Sequence, residues 1–480
     1  MKRHISLLLA TVMILSVLFS LSSCDLINKL LNGDDPKPET YDEQPTINGV
    51  LLSDFTIVYD EDGLDYNKRA AEYIKERSAA RFGVELSIVD DDSAEAENEI
   101  VVGETSRQIS EKLNAECKGL EFAIMAEGGD IALEGDYFII AAAAFYFMET
   151  YTSGSAYQAT VPEKISVHTP IVSEAKNFIM LIGDGMGTYQ TKIFDYMQRD
   201  VEYSDGEDFF YGDLLPYQGY SRTRSLSGIT DSAAGGTALS CGYKTYNEYV
   251  GLDKDGNTIK SLTELAHELG KSGAVMSTEN QKGATPATFS AHVDSRDNSA
   301  DIYNSQLDAM QKYGTVIDCG FDYYTARYMN NLIEPHITDT LEEISANENG
   351  FFLMYEEAHI DKHCHKNDLD KTYDAVVRFN QAIGRFMEFA FYHPDTFVLI
   401  TADHETGGLA PNDEGKLTYS TEEHSAEDVP VFAWGYGADA IHGKTLENIE
   451  IAKLFASLMG VEGFGDQGEE WKDLIYGTEE

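Results

Sequence analysis

From Lys176 to the C-terminus, short apolar runs alternate with stretches of helical periodicity, and two of the runs stop on chemically active side chains. KNFIMLIGDG runs into Asp184, and AVVRFNQAIGRFMEFAFYHPDTFVLITADH joins a long amphipathic stretch to a strand that ends at Asp403 and His404. SLTELAHELGKSGAVMST repeats the helix-to-strand pattern, and VPVFAWG followed by TLENIEIAKLFASLMG closes it. Alternation of this kind predicts an α/β fold: a doubly wound, largely parallel sheet with helices on both faces. In such sheets ligands bind beyond the carboxyl ends of the strands. Asp184 follows Phe178–Ile182, Asp403 and His404 follow Phe397–Ile400, and Asp231 and Ser232 open a helix, so three polar clusters are expected to meet at one site.

The N-terminal third reads differently. Lys2 and Arg3 precede an apolar run from Ile5 to Phe19 and then LSSC, a secretory signal too short and wrongly flanked for a spanning helix. The LSSC ending resembles a bacterial lipobox. It implies a signal peptide over residues 1–23, lipidation of Cys24, and an extracytoplasmic protein anchored to a membrane through that residue. Residues 24–50 are polar and contain proline, as in a flexible tether. Residues 51–168 predict a small α/β domain: strands at FTIVYD, VELSIVDD and NEIVVGET, a helix from Asp65 to Gly83, a hairpin through Gly128 and Gly129, and a buried helix in FIIAAAAFYFMETY. The pattern resembles the accessory domain of α-glucuronidases and hexosaminidases. Its sequence holds no catalytic cluster, and the catalytic unit is assigned to residues 173–480.

A formal net charge of −48 argues against nucleic acid or an anionic membrane as partners of the surface as a whole. A small anionic substrate stays open, because screening over about 8 Å lets a few local cations reverse the sign inside a cleft. Metal ions are the obvious candidates. Cys117, Cys241, Cys319 and Cys364 follow no zinc-finger spacing, and a chain this long needs no disulfide framework, so they are expected as small buried side chains. Cys364 stands out because His363 and His365 flank it.

Metal-type donors are concentrated in a few segments. HIDKHCH places Asp361 and His365 four residues apart, on one face of a helix, where together they can hold an ion. His359 and His363 share that spacing, which does not choose between the pairs. LIGDGMG leaves Asp184 between glycines on a tight turn. ITDSAAGGTALSCG puts Ser232 at the start of a helix, whose positive end favours a phosphate. Serine is a weak nucleophile at neutral pH and no His-Asp pair flanks Ser232, so coordination to zinc is the available route to an alkoxide.

Taken in order, LIGDGMG, TDSAAGGTA, ATPATFSAHVDSR, FFLMYEEAHIDKHCH, VLITADHETGG and EEHS resemble alkaline phosphatase over residues 177 to about 460. The resemblance implies hydrolysis of small phosphate monoesters through a phosphoserine at Ser232, with Arg296 binding phosphate. It implies two zinc ions and one magnesium. Asp361, His365 and His424 would hold the first zinc, and Asp184, Asp403, His404 and Ser232 the second. Asp184, Thr285 and Glu356 would hold the magnesium. This selects Asp361 and His365 over His359 and His363, and a homodimer is among the assemblies it allows. A guanidinium at position 296 can take two phosphate oxygens at once, which lysine cannot. The rival readings are a phosphodiesterase or sulfatase of the same superfamily, and an inactive glycan-binding surface lipoprotein. His267, His292 and His442 are expected to be structural, and Met180, Met186 and the stretch 386–392 to be core. One position departs from the pattern. Gly283 stands before ATPA where bacterial members carry Asp and others His, while Lys362 keeps its lysine, so the outer shell of the third metal is expected to lack a side chain.

Overall fold

The computed structural model describes residues 45–113, 117–152, 158–197, 209–320 and 333–477. The signal segment and Cys24 lie outside the described residues. Residues 46–50, expected in the tether, are instead part of a small sheet in which Thr46–Ile47 pairs with Val50–Leu51 and with Gln158–Ala159. Ile47 is fully buried, and that apolar side chain ties the segment down.

The first large sheet comprises β1 (Thr56–Tyr59), β2 (Ser87–Asp90), β3 (Glu99–Val102), β4 (Phe122–Glu127), β5 (Asp130–Glu134) and β6 (Ser166–His168), in the order β2-β1-β3-β5-β4-β6. β1, β2, β3 and β5 are parallel, and β4 is antiparallel to both its neighbours. Gly128 and Gly129 both have positive φ, as a two-residue hairpin between β4 and β5 requires. Helix α1 (Asp65–Phe82) ends on Gly83 in the left-handed conformation, and α2 (Ile139–Tyr151) is apolar on nearly every side.

The second sheet carries the site. Its strands are β7 (Asn177–Gly183), β8 (Tyr217–Arg222), β9 (Ser272–Ser277), β10 (Val316–Cys319), β11 (Phe351–Glu357), β12 (Thr396–Thr401), β13 (Val429–Trp434) and β14 (Thr445–Glu447), in the order β10-β9-β11-β7-β12-β13-β8-β14. The strands from β10 through β12 run parallel, whereas β13 is antiparallel to β12 and β8. β7, β11 and β12 are buried along their whole length, which explains why they read as unbroken apolar runs.

Register sets the level of the edge that carries the polar groups. Ser277, Glu356, Ile182 and Thr401 lie side by side across β9, β11, β7 and β12. Asp184 and Asp403 therefore sit at equal heights, two residues beyond this row on adjacent strands. Helices α3 (Ser232–Cys241), α4 (Ala284–Thr288) and α5 (His359–Cys364) deliver the other groups.

Helix α6 (Leu369–Tyr392) lies between the two sheets. Asp368 caps its start by accepting from the Lys371 amide, and it stops before His393-Pro394. One face packs on the second sheet, with Phe379 stacked on Tyr355 and Phe389 against Phe351. The other meets the first unit, with Tyr392 stacked on Tyr73 at 4.3 Å, Phe391 on Phe138, and Glu388 paired with Arg69 at 2.9 Å. Gly384 is required there: a Cβ would come within 2.2 Å of the Tyr66 hydroxyl. A single apolar cluster consequently includes side chains of both sheets.

Candidate active site

Asp184 follows β7 on a turn whose Gly185 has positive φ and would bring a Cβ within 2.9 Å of Asp361. The Gly185 amide donates to Asp403 Oδ1 at 3.3 Å, so the two strand-end turns are tied together. Ser232 is the first residue of α3, and its hydroxyl lies in hydrogen-bond contact with His404 Nε2 at 3.2 Å. His404 Nε2 also lies 3.5 Å from Asp184 Oδ1 and 3.3 Å from Asp403 Oδ2.

A second group adjoins the first. Asp361 Oδ1 is 3.2 Å from His365 Nε2 and 3.6 Å from His424 Nε2, and the two imidazole nitrogens are 3.1 Å apart. The donor atoms of Asp361, His365 and His424 lie within 4.8 Å of one another, as do those of Asp184, Asp361 and His404. Asp361 thus belongs to both clusters. α5 ends at Cys364, but His365 keeps helical dihedrals, which preserves the four-residue spacing from Asp361. His359 turns away toward Glu357 and Thr278.

Hydrogen bonding fixes the imidazole tautomers. His424 Nδ1 donates to Thr230 O at 2.8 Å and His365 Nδ1 to Glu422 O, which leaves each Nε2 to face the cluster. His365 has its pKa raised to about 9, first by the hydrogen bond to Asp361. Burial pushes Asp361 up, but that bond, His404 and Thr406 outweigh it and hold the carboxyl well below its usual range. Burial, helped by His424, drives the pKa of His404 well below the ordinary value.

The remaining carboxyls go the other way. Burial and then the charge of Asp403 raise Asp184 well above the usual range. Burial and then Asp361 push Asp403 up to about 7, and burial followed by Glu279 pushes Glu356 up to about 8. Asp184 Oδ1, Asp403 Oδ2 and Glu356 Oε1 are buried and accept no hydrogen bond. Buried acceptor atoms of this kind are costly unless a cation satisfies them. Carboxylate and imidazole donors at these separations fit divalent cations of the zinc type, and the carboxylate-rich end around Glu356 and Thr285 fits a harder ion.

Asp231, expected to open the Ser232 helix, does more than that, and two other contributors were not foreseen in the sequence. Asp231 caps α3 through the Ala234 amide at 2.9 Å, while its other oxygen accepts from Arg296 Nη1 at 3.1 Å and from the Glu248 amide. One carboxylate thereby fixes both the helix that bears Ser232 and the guanidinium. Ser277 donates to Glu356, and Thr406 lies between Asp361 and His404. The signal that could have found these last two is a hydroxyl ending an apolar strand, as Ser277 does, or standing two residues past a strand-end histidine, as Thr406 does. The niche beside Gly283, expected to lack a side chain, is filled by Glu279. Cys364 is buried against Gln190, Thr372 and Tyr419, and burial raises its thiol to about 12, so it stands with the core. His292 pairs with Glu264 and His267 with Thr315, both structural contacts.

The alkaline phosphatase family model matches residues 175–318 and 328–419, a span that stops short of His424. Alkaline phosphatase 4 of Bacillus subtilis is 30% identical over 343 residues, covering 58% of this chain and 72% of that protein. The alkaline phosphatase of Escherichia coli is 26% identical over 409 residues, covering 63% and 85%. The solved alkaline phosphatase of the Antarctic bacterium TAB5 superposes with a TM-score of 0.53 at 26% identity, over 60% of this chain and 99% of that one. With identity, coverage and fold agreeing over the segment that carries the clustered carboxylates and imidazoles, the chain belongs to the alkaline phosphatase family.

Proposed function

We propose that this protein hydrolyses phosphate monoesters by passing the phosphoryl group first to Ser232 and then to water. The observation that carries the reading is the position of Ser232 Oγ, at a helix N-terminus and 3.2 Å from a buried imidazole nitrogen flanked by two buried carboxylates. In this reading Asp361, His365 and His424 hold one zinc ion, and Asp184, Asp403, His404 and Ser232 a second. Asp184, Thr285 and Glu356 hold magnesium, an ion that a solved variant of the TAB5 enzyme is described as binding. Cations bound there supply Lewis-acid stabilisation of phosphoryl oxygens and lower the pKa of coordinated hydroxyls.

The chain's own groups do the rest. Ser232 Oγ gives up its proton to solvent and attacks phosphorus while the ester oxygen leaves with the bonding pair and takes a proton from solvent; water, losing a proton to solvent, then attacks the phosphoserine, and Ser232 Oγ leaves with the bonding pair and is reprotonated as phosphate is released. Two in-line inversions give net retention at phosphorus. His404 is a poor general base for the serine proton, since burial and His424 keep it neutral well below the ordinary imidazole pKa. Arg296, held by Asp231, is oriented to take two non-bridging oxygens of a monoester, and the amide groups at the start of α3 favour the same dianion. Anchoring through Cys24 is part of the proposal and rests on the LSSC motif alone.

Turnover of an aryl phosphate monoester, a diester and a sulfate by zinc- and magnesium-loaded protein tests the reading. The monoester should be preferred, Ser232→Ala should abolish its turnover, and acid quenching should trap phosphate on the peptide containing Ser232. A preference for the diester or sulfate, or label on another residue, would overturn it.

A further inference from the structure

Gly283 has φ −55° and ψ 152°, a conformation open to any residue, so its backbone gives no reason for glycine. The reason is spatial. A Cβ at this position would lie 2.6 Å from Cδ and 2.7 Å from Oε2 of Glu279. The chain turns back between the two residues, with the Gly283 amide donating to Asn280 O at 2.7 Å and the Lys282 amide to Asn280 Oδ1. The carboxylate of Glu279 thereby occupies the volume that a side chain at 283 would fill.

Glu279 is held at both its carboxylate and its backbone. Lys362 Nζ lies 3.0 Å from Glu279 Oε1, and the Glu279 amide donates to Ser277 Oγ at 2.9 Å, the same hydroxyl that donates to Glu356. Glu356 and Asp184 both present a buried oxygen without a hydrogen bond. Glu279 is joined to Glu356 through the Ser277 hydroxyl, which bonds both residues.

We propose that Glu279 supplies the third carboxylate of the magnesium site formed with Asp184, Thr285 and Glu356, replacing a side chain at position 283, with Lys362 holding it in place. This rests on the metal-dependent phosphatase reading. Gly283→Asp alone would then add no carboxylate to the third ion. With Glu279 in place an aspartate at 283 must evict it, exchanging one carboxylate for another.

Two variants should therefore behave alike. Glu279→Gln removes the charge, and Gly283→Ala displaces the carboxylate without touching its chemistry. Magnesium titration calorimetry on zinc-loaded full-length protein should show each weakening magnesium by about 10- to 100-fold, with the double variant no weaker than either single one. Combining Glu279→Ala with Gly283→Asp should recover most of the affinity, an outcome no purely structural role predicts. Zinc content by mass spectrometry should stay at the parent's value throughout. Magnesium affinity unchanged in Glu279→Gln, additive losses in the double variant, or no magnesium binding by the parent would each overturn the assignment to Glu279. A parent that binds no zinc would instead remove the phosphatase reading beneath it.

Discussion

Thr406 Oγ1 lies 2.6 Å from Asp361 Oδ1 and 3.2 Å from His404 Nδ1, and its single proton can serve only one of them. Asp361 is ionised and can only accept, so the hydroxyl donates to it and accepts from His404 Nδ1–H. His404 Nε2 is left with its lone pair toward Ser232, Asp184 and Asp403. Thr406→Val keeps the shape and loses this link, and should weaken zinc binding by about 10- to 100-fold in a chelator competition. Thr406→Ser should keep most of it; a valine variant equal to the parent would discount the hydroxyl. A second buried polar side chain makes a pH signature. Lys244 is 1% exposed, donates to Arg224 O at 2.8 Å and pairs with Glu447 at 3.0 Å. Burial lowers its pKa to about 8, and Glu447 only partly offsets this. Unfolded, it titrates near 10.4, so between about pH 8 and 10.4 the unfolded chain binds more protons and stability rises with pH. Urea unfolding at pH 7.5 and 10.5 should show an increment of about 3 kcal/mol in the parent that Lys244→Met lacks. Equal slopes in the two proteins would show that Lys244 is not perturbed.

Helix α3 shows what its run of tiny residues is for. A Cβ on Gly235 would lie 2.8 Å from the carbonyl oxygen of Asp403, and one on Gly236 2.7 Å from Thr288 Oγ1, which is itself bonded to Thr285 O. The helix presses directly on the turn that carries Asp403 and on α4, which carries Thr285. Gly235→Ala gains about 1 kcal/mol of helix propensity, but overpacking against immovable backbone costs about 1–3 kcal/mol. The expected outcome is a lower urea midpoint together with reduced zinc retention, because Ser232 and Asp403 are forced apart. A stabilised variant with normal zinc content would contradict that packing. Much of this was legible in the sequence. Strands buried on both faces must be apolar, so Phe178–Ile182 and Phe397–Ile400 announced themselves and located Asp184 and Asp403 at their ends. Helical spacing alone did not choose between Asp361/His365 and His359/His363; the order of motifs did, and in the fold His359 turns toward Glu357 and Thr278 instead. The role of Glu279 and the bond from Arg296 to Asp231 were equally hidden. Their roles depend on which loop folds back on which, and a polar residue in a loop carries no periodicity to reveal it.

At the scale of the whole chain, α6 makes the two sheets one structure. Its Phe379 and Phe389 pack on the second sheet while Phe391 and Tyr392 pack against Phe138 and Tyr73 of the first unit, within one apolar cluster. Cutting the chain at residue 173 would leave that second face in water, with Glu388 deprived of Arg69, and an exposed apolar patch of this kind favours aggregation. A gentler test keeps the full chain. Tyr73 is 5% exposed and stacks on Tyr392 at 4.3 Å, so Tyr73→Ala should cost about 3–5 kcal/mol, as for other buried aromatic truncations. The informative quantity is how the loss is shared. With a continuous core, far-ultraviolet circular dichroism and phosphatase activity should be lost at one urea midpoint in the parent, and Tyr73→Ala should lower both midpoints together. Should the variant lose part of its dichroism at low urea while activity persists to the parental midpoint, the first unit melts alone and α6 does not couple the two sheets.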